Sequence, residues 1–392
     1  MRRFAPLAAA ALTLALGAAA SPAHALVPAD VSLAAGPTSS VVSVSPDVYY
    51  DEATSTFFLY TTGMRIGVYS SSDGESWTEV SGASTPTGPY FDPSVVKVGE
   101  SQYRMYYVYR PGTSNRPCEG KELRYATSTD LIRWTPQPES LLDDLGCGVP
   151  NVVRAGSEYR LYYVRGGSGL RHGTYMATSP DGLAWTPTDT LLTPKDFVDP
   201  SVVRIADGSW LMFTADFPSD KSSGPFFQKL YVGTSRDGIT WDFDASAPLY
   251  VAPSGQGAFD PDAVVLPDGS VRAWWSQGRD AMAATVTPGV VAITPSPDPG
   301  PTPGKPGKPT VKVGQAGIKV SWTASAPAPD RYVVQVKVTT GWKDVARVSG
   351  TSATVSWTKA GVKKGKAFSV RVTAHAGKAK ATSPVTKAQR SR

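Results

Sequence analysis

Apolar and polar residues alternate in short runs along most of this chain, with Gly, Asp and Pro clustered between the runs. Tyr103-Arg104-Met105-Tyr106-Tyr107-Val108 and Tyr159-Arg160-Leu161-Tyr162-Tyr163-Val164 show the pattern well, being aromatic and β-branched. Around the first, the pattern predicts strands over Pro93–Val98, Tyr103–Val108, Leu123–Thr127 and Trp134–Thr135. Around the second it predicts Tyr159–Val164 and Tyr175–Thr178. No segment sustains a helical period. The chain reads as all-β.

The runs repeat as groups. Ser71-Ser72-Asp73-Gly74-Glu75-Ser76-Trp77 returns as Thr127-Ser128-Thr129-Asp130-Leu131-Ile132-Arg133-Trp134, as Thr178-Ser179-Pro180-Asp181-Gly182-Leu183-Ala184-Trp185, and as Thr234-Ser235-Arg236-Asp237-Gly238-Ile239-Thr240-Trp241. The tryptophans lie 57, 51 and 56 residues apart. A second phrase keeps step: Phe91-Asp92-Pro93-Ser94-Val95-Val96 and Val198-Asp199-Pro200-Ser201-Val202-Val203, with looser copies at Ser45-Pro46-Asp47-Val48, Val149-Pro150-Asn151-Val152 and Asp260-Pro261-Asp262-Ala263. Five copies of a four-strand unit predict a five-bladed β-propeller within residues 26–294. The Asp-Gly pair supplies the positive φ of a tight turn, and the following Trp is expected to pack between blades. The last blade lacks that turn. Its final strands are expected at Ala281–Val286 and Val290–Ile293, and whether an N-terminal strand closes the ring is left open.

Residues 295–309 are Pro/Gly-rich and read as an extended, semi-rigid linker. Beyond them, alternating strands at Ile318–Trp322, Tyr332–Val338, Val345–Val348, Ser352–Trp357 and Phe368–Ala374 predict a β-sandwich over 310–388. This stretch resembles a fibronectin type III domain through Val320-Ser321-Trp322, the Tyr332 strand and Phe368-x-Val370-Arg371-Val372-x-Ala374. Such domains usually carry a corner tyrosine where this chain has Phe368.

Arg2 and Arg3, an Ala/Leu run and Ala23-His24-Ala25 read as a signal peptide over residues 1–25, so the protein is expected to be secreted. No later segment is apolar for the ~20 residues a membrane span needs. Two cysteines, Cys118 and Cys147, are then expected to form one disulfide. The net charge of +6 is unevenly placed: residues 305–392 hold 18 Lys and Arg against 2 Asp. That basic end is expected either to hold an anionic cell-wall polymer or simply to be a solvated face. Nucleic acid is not an expected partner of an exported protein whose larger domain is acidic.

The Asp-Pro phrases open the innermost strands, so they gather Asp47, Asp92, Asn151, Asp199, Asp260 and Asp262 around one channel mouth. Clustered, buried carboxyls repel and split into proton donor and base, as glycoside hydrolysis requires. The alternative is a scaffold role, capping turns in every blade. Loops at the same mouth bring Arg110, Arg165, Arg171, His172, Trp275 and Arg279, which suit sugar rings and hydroxyls. Both cysteines belong to that face.

The repeated Ser-x-Asp-Gly-x-x-Trp and Asp-Pro-Ser-Val-Val phrases resemble the five-bladed glycoside hydrolases of families 43, 62, 32, 68, 117 and 130, family 43 above all. The resemblance implies inverting hydrolysis of arabinan, xylan or related side chains. It implies Asp47 as the base, Asp199 as the acid, and Asp92 or Asp260 tuning them. Asn151 falls where a tuning Asp would sit. No Glu follows Glu158, so the family's usual acid is missing. Glu119 or Glu122 from a loop is a further candidate. In some members a channel histidine helps hold calcium, which would fall to His172; no other cofactor or metal is expected. The competing readings are a non-catalytic glycan-binding propeller and a cell-surface adhesion or scaffold protein.

Overall fold

The computed structural model describes residues 26–391 apart from 64, 113–117, 168–169, 218–226, 281–282, 295–302, 327, 330, 339–340 and 377–378. The expected signal peptide, most of the expected linker and the first two residues of the expected Ala281–Val286 strand therefore lie outside the described residues. The chain is all-β and divides into two compact units, Ala25–Pro295 and Ser296–Arg392. Among the described residues no helix is long and apolar enough to cross a membrane.

In the larger unit, a short 3₁₀ turn leads into β1 (Val31–Ala35). Four consecutive antiparallel sheets follow: β2 (Val44–Asp51) to β5 (Thr78–Glu79) through β3 (Thr56–Thr62) and β4 (Gly67–Ser71); then β6 (Tyr90–Gly99), β7 (Gln102–Tyr109), β8 (Glu122–Ser128) and β9 (Thr135–Pro136); then β10 (Gly148–Ala155), β11 (Glu158–Gly167), β12 (Leu170–Ser179) and β13 (Thr186–Pro187); then β14 (Phe197–Arg204), β15 (Trp210–Asp216), β16 (Leu230–Ser235) and β17 (Asp242–Phe243). The fifth sheet runs β1-β20-β19-β18, from β18 (Gly257–Val265), β19 (Val271–Gly278) and β20 (Thr285–Ile293). Its last two strands are thus not the expected pair. Thr285–Ile293 is one unbroken strand, and β1 supplies the fourth, with Val31 opposite Ile293 and Ala35 opposite Gly289. The apolar Val31 and Leu33 bind it to a core with Val291 and Phe213.

The repeated turn phrase explains how neighbouring sheets are held. Asp73, Asp130, Asp181 and Asp237 each accept two backbone N–H groups from the residues that follow them. Positive φ falls at Gly74, Gly182 and Gly238, and at Leu131 where the glycine is replaced. The buried turn carbonyl is then captured by the sheet before it: Tyr60 donates to Leu131 O at 2.7 Å, Tyr106 to Gly182 O at 2.8 Å, Tyr162 to Gly238 O at 2.7 Å, and Trp274 to Gly74 O at 2.7 Å. The equivalent residue in the fourth sheet is Phe213, facing the one sheet that has no such turn. The phrase's tryptophans pack edge-on against the same tyrosines, as Trp134 on Tyr60 and Trp185 on Tyr106.

The smaller unit contains two sheets. β21 (Thr310–Val313), β22 (Gly317–Ser321) and β25 (Ser352–Ser356) form one. β24 (Lys343–Val348), β23 (Arg331–Lys337), β26 (Ala367–Ala376) and β27 (Ala379–Thr382) form the other, with β28 (Thr386–Gln389) also on β26. One core of Ile318, Val320, Trp322, Tyr332, Val334, Trp357, Phe368 and Val372 fills the space between. Phe368 lies edge-on to Trp357. Of the expected linker, 303–309 is packed rather than free: Pro303, Pro306 and Pro309 are buried, the three-residue period of a polyproline helix, and the Gly307 N–H reaches Thr323 O.

Candidate functional site

All five innermost strands of the larger unit share one irregularity. Ser45, Asp92, Val149, Asp199 and Asp260 each precede a proline and each has positive φ, between 47° and 56°. The pairing register slips there in every sheet. Proline cannot donate to the ladder, so the strand bulges and re-aims the side chains on either side of it. Val149 is the costliest of the five, since a β-branched residue strongly resists this backbone region.

The bulge sorts the polar residues into two levels. In the deeper level the residue after each proline accepts a backbone N–H of the adjoining strand. Asp47 takes Val95 N–H at 2.9 Å, Ser94 takes Val152 at 3.0 Å, Asn151 takes Val202 at 3.0 Å, Ser201 takes Ala263 at 3.0 Å and Asp262 takes Val48 at 2.7 Å. These five bonds run β2 to β6 to β10 to β14 to β18 and back to β2. Asp262 also accepts the Ser201 hydroxyl at 2.9 Å. Burial, reinforced for Asp47 by Asp262, raises both carboxyls well above the usual range, Asp262 to about 7.

The other level holds Ser45, Asp92, Val149, Asp199 and Asp260. The Ser45 hydroxyl lies 2.8 Å from Asp92 Oδ1 and 3.2 Å from Asp260 Oδ2, and the Ser45 N–H donates to the same Asp260 oxygen at 3.1 Å. Gln228 donates to Asp199 at 3.4 Å. Burial and then Asp92 push Asp260 up to about 7; burial, Asp260 and Asp92 push Asp199 well above the usual carboxylate range. Asp92 is raised by burial but restrained by the Lys121 ammonium and the Ser45 hydroxyl. Lys121 donates to the Cys147 carbonyl, and burial lowers its pKa despite Asp92. The upper level therefore gathers three carboxyls raised by burial, and the rise of one of them, Asp92, is restrained by a neighbouring cation. The two levels enclose a cavity of about 20 Å³. That is room for one water and no sugar ring, so a sugar would have to rest on the partly exposed Asp92, Val149 and Asp260.

Cys118 and Cys147 form a disulfide beside this level. His172 lies against it, with Nδ1 at 3.2 Å from Asp196 and its ring edge-on to Phe217. Since the disulfide uses both thiols, these three do not form a metal centre. Arg110 is half-buried beside Lys121, and its buried Nε has no hydrogen-bond partner among the described residues. Arg165 turns to the rim, pairing with the exposed Asp189 at 2.8 Å. Arg171 and Arg279 are exposed and do not line the cavity. Trp275 is fully buried against Tyr250, so it is a core residue and not a sugar platform. Glu122 is taken by Arg124 at 2.8 Å.

The sequence brings Asp47, Asp92, Asn151, Asp199, Asp260 and Asp262 together, as their spacing predicts, but not as one ring. Asp47 and Asp262 belong to the deeper, inter-strand level. Ser45 is legible as a break in the Asp-Pro phrase, since it stands in register with Asp92. Lys121 and Gln228 were not given a role, because loops place them.

No family model matches the chain. An uncharacterized protein of Mycobacterium tuberculosis is 33% identical over 99 residues, 24% of this chain and 32% of that protein. The chain thus spans about a third of the length of the curated relative it matches. A thermostable family-43 glycoside hydrolase superposes with a TM-score of 0.51 at 15% identity, covering 67% of this chain and 98% of that one. The likeness is one of fold. Lower-scoring similar structures are the Cellvibrio cellulosa alpha-L-arabinanase complexed with arabinohexaose (TM-score 0.48, 14% identity, 63% and 91% covered) and an endo-1,4-beta-xylanase from Bacteroides thetaiotaomicron (0.47, 17%, 65% and 97%).

Proposed function

We propose that residues 26–294 form a five-bladed β-propeller of the family-43 type, that residues 310–388 form a fibronectin type III module, and that the protein is a secreted glycoside hydrolase acting on polysaccharide side chains. The observation that carries the catalytic reading is the Asp92–Ser45–Asp260 bridge. It puts an acid with a pKa of about 7 within reach of Asp92, whose rise in pKa the Lys121 charge restrains. Asp260, sharing its site with Asp199, serves as proton donor, and Asp92 as the negatively charged partner.

This shifts the roles from Asp47 and Asp199. The Asp47 carboxylate is occupied by Val95 N–H and its electrostatic neighbour is Asp262, whereas Asp199 faces Asp260 and Asp92. Two carboxyl oxygens bridged by one hydroxyl are also closer than the ~6.5–9.5 Å that admits an attacking water. A glycosidase built on Asp92 and Asp260 would therefore retain the anomeric configuration rather than invert it. Calcium enters the proposal only as a ligand to be tested.

The second reading, a glycan-binding propeller without turnover, draws on Ser45 and Val149. They stand where the other three sheets carry Asp, and leave two positions of the level without a carboxyl.

Chromogenic arabinosides, xylosides, galactosides and fructosides, with and without calcium, test both. Turnover lost in Asp260→Asn and Asp92→Asn supports the hydrolase. Glycan-array binding with no turnover of any substrate supports the second reading. Activity that survives both substitutions rejects the site.

A further inference from the structure

The outer face of the larger sheet in the C-terminal unit carries cations in rows. On β23, Tyr332, Val334 and Val336 enter the core, so Arg331 and Lys337 face outward; on β26, Val370, Val372 and Ala374 enter it, so Arg371 and His375 face outward. Arg331, His375 and Lys380 stand directly opposite one another across three strands. Arg347 sits on the neighbouring β24. Lys337 and Lys387 flank Ser369 in a second row, ~20 Å further along the strands. Asp344 is the sole acid on this face among the described residues.

Besides burial, Arg331 and Lys380 hold the His375 imidazole below its usual range, and the two rows hold their cations on either side of His375 and of Ser369. Among the described residues the face carries many more cations than its single acid, Asp344. Arg371 adds shape: its guanidinium lies 4.2 Å over the Trp342 ring while its Nε donates to Gln335 at 2.8 Å, fixing a flat cationic plate in the middle of the face. The outer face of the other sheet differs. Its rows are hydroxyl-bearing (Ser321, Ser352, Thr354), with only Lys312 and Lys319 opposed.

We propose that this face docks an acidic polysaccharide, a linear sugar polymer with a carboxylate on each of many residues. Two cationic rows a strand-length apart match a repeating anion better than a single small one. A fixed guanidinium fork matches carboxylates, and the flat Arg371–Trp342 stack matches sugar rings. The inference does not depend on whether the propeller is catalytic.

Binding of the full chain to polygalacturonate, measured calorimetrically, tests it. Neutral arabinan and single-stranded DNA of matched charge serve as comparison probes. The double substitution Arg331→Gln/Lys380→Gln is expected to weaken polygalacturonate binding about tenfold at low salt. Arg371→Lys, which keeps the charge but not the plate, is expected to weaken it too. Lys312→Gln/Lys319→Gln, removing equal charge from the opposite face, should change it less than about twofold. Equal losses from the two double substitutions, equal affinity for DNA, or no binding to polygalacturonate would each overturn the proposal.

Discussion

The Asp262 carboxylate accepts the Val48 backbone N–H at 2.7 Å, across 214 residues of chain. It is the only one of the five inter-strand bonds that joins the last sheet to the first. The other four use Asp47, Ser94, Asn151 and Ser201, so neither a charge nor a second oxygen is required for the bond.

Replacing Asp262 by Asn should therefore stabilise the larger unit at alkaline pH. The carboxyl has a folded pKa of about 7 and an unfolded one near ~3.9. Between those values the native state holds a proton that the unfolded chain has released. Native stability then falls as pH rises from about 4 to 7, by at most about 4 kcal/mol for this one group. Denaturant unfolding at about pH 5 and about pH 8 should show a drop in the wild type and a smaller one in Asp262→Asn. An equal drop in both would refute this account of the carboxyl.

Tyr162→Phe removes the donor to the buried Gly238 carbonyl and should cost about 1–2 kcal/mol. Phe213→Tyr, at the equivalent place, should give no gain, because no turn carbonyl faces it. Thermal midpoints of the two variants test the pairing of turn and donor. A stabilised Phe213→Tyr would count against it.

Asp47→Asn should leave glycan binding and any turnover within a few-fold of wild type, since Asn151 already performs the same structural task with an amide. Asp92→Asn should abolish turnover. The reverse ranking would return the catalytic role to the deeper level.

Lys121→Met removes the ammonium that restrains Asp92 and should raise the Asp92 pKa further. Carboxyl carbon NMR reads this directly, and the acidic limb of any pH–rate profile should move upward with it. An unmoved Asp92 titration would show that the ammonium is not coupled to the site.

Much of the fold was legible because the repeat is local. Asp-Gly turns, the following Trp and the alternation within each run are set by residues close in sequence, where φ > 0 and the two-residue period decide structure directly. The all-β character and the convergence of the Asp-Pro phrases followed from those alone. The fifth sheet did not, because β1 pairs across about 260 residues with β20 and carries no turn signal of its own. Trp275 was misread for a related reason: an aromatic near a strand end looks the same whether it meets solvent or Tyr250.

Within the site, residue spacing determined which side chains converge. The bulge decided what they can do. A proline after each of Ser45, Asp92, Val149, Asp199 and Asp260 breaks the ladder, and the resulting slip puts Asp47 and Asp262 in the bonded inner level and Asp92, Asp199 and Asp260 in the half-open one. Carboxyls two residues apart thereby meet different neighbours: burial and the other carboxyls raise them, and groups brought from other sheets and loops — Ser45, Lys121 and Gln228 — oppose that rise. Composition and periodicity fix local backbone geometry, whereas a pKa depends on charges and burial that only the assembled sheets supply.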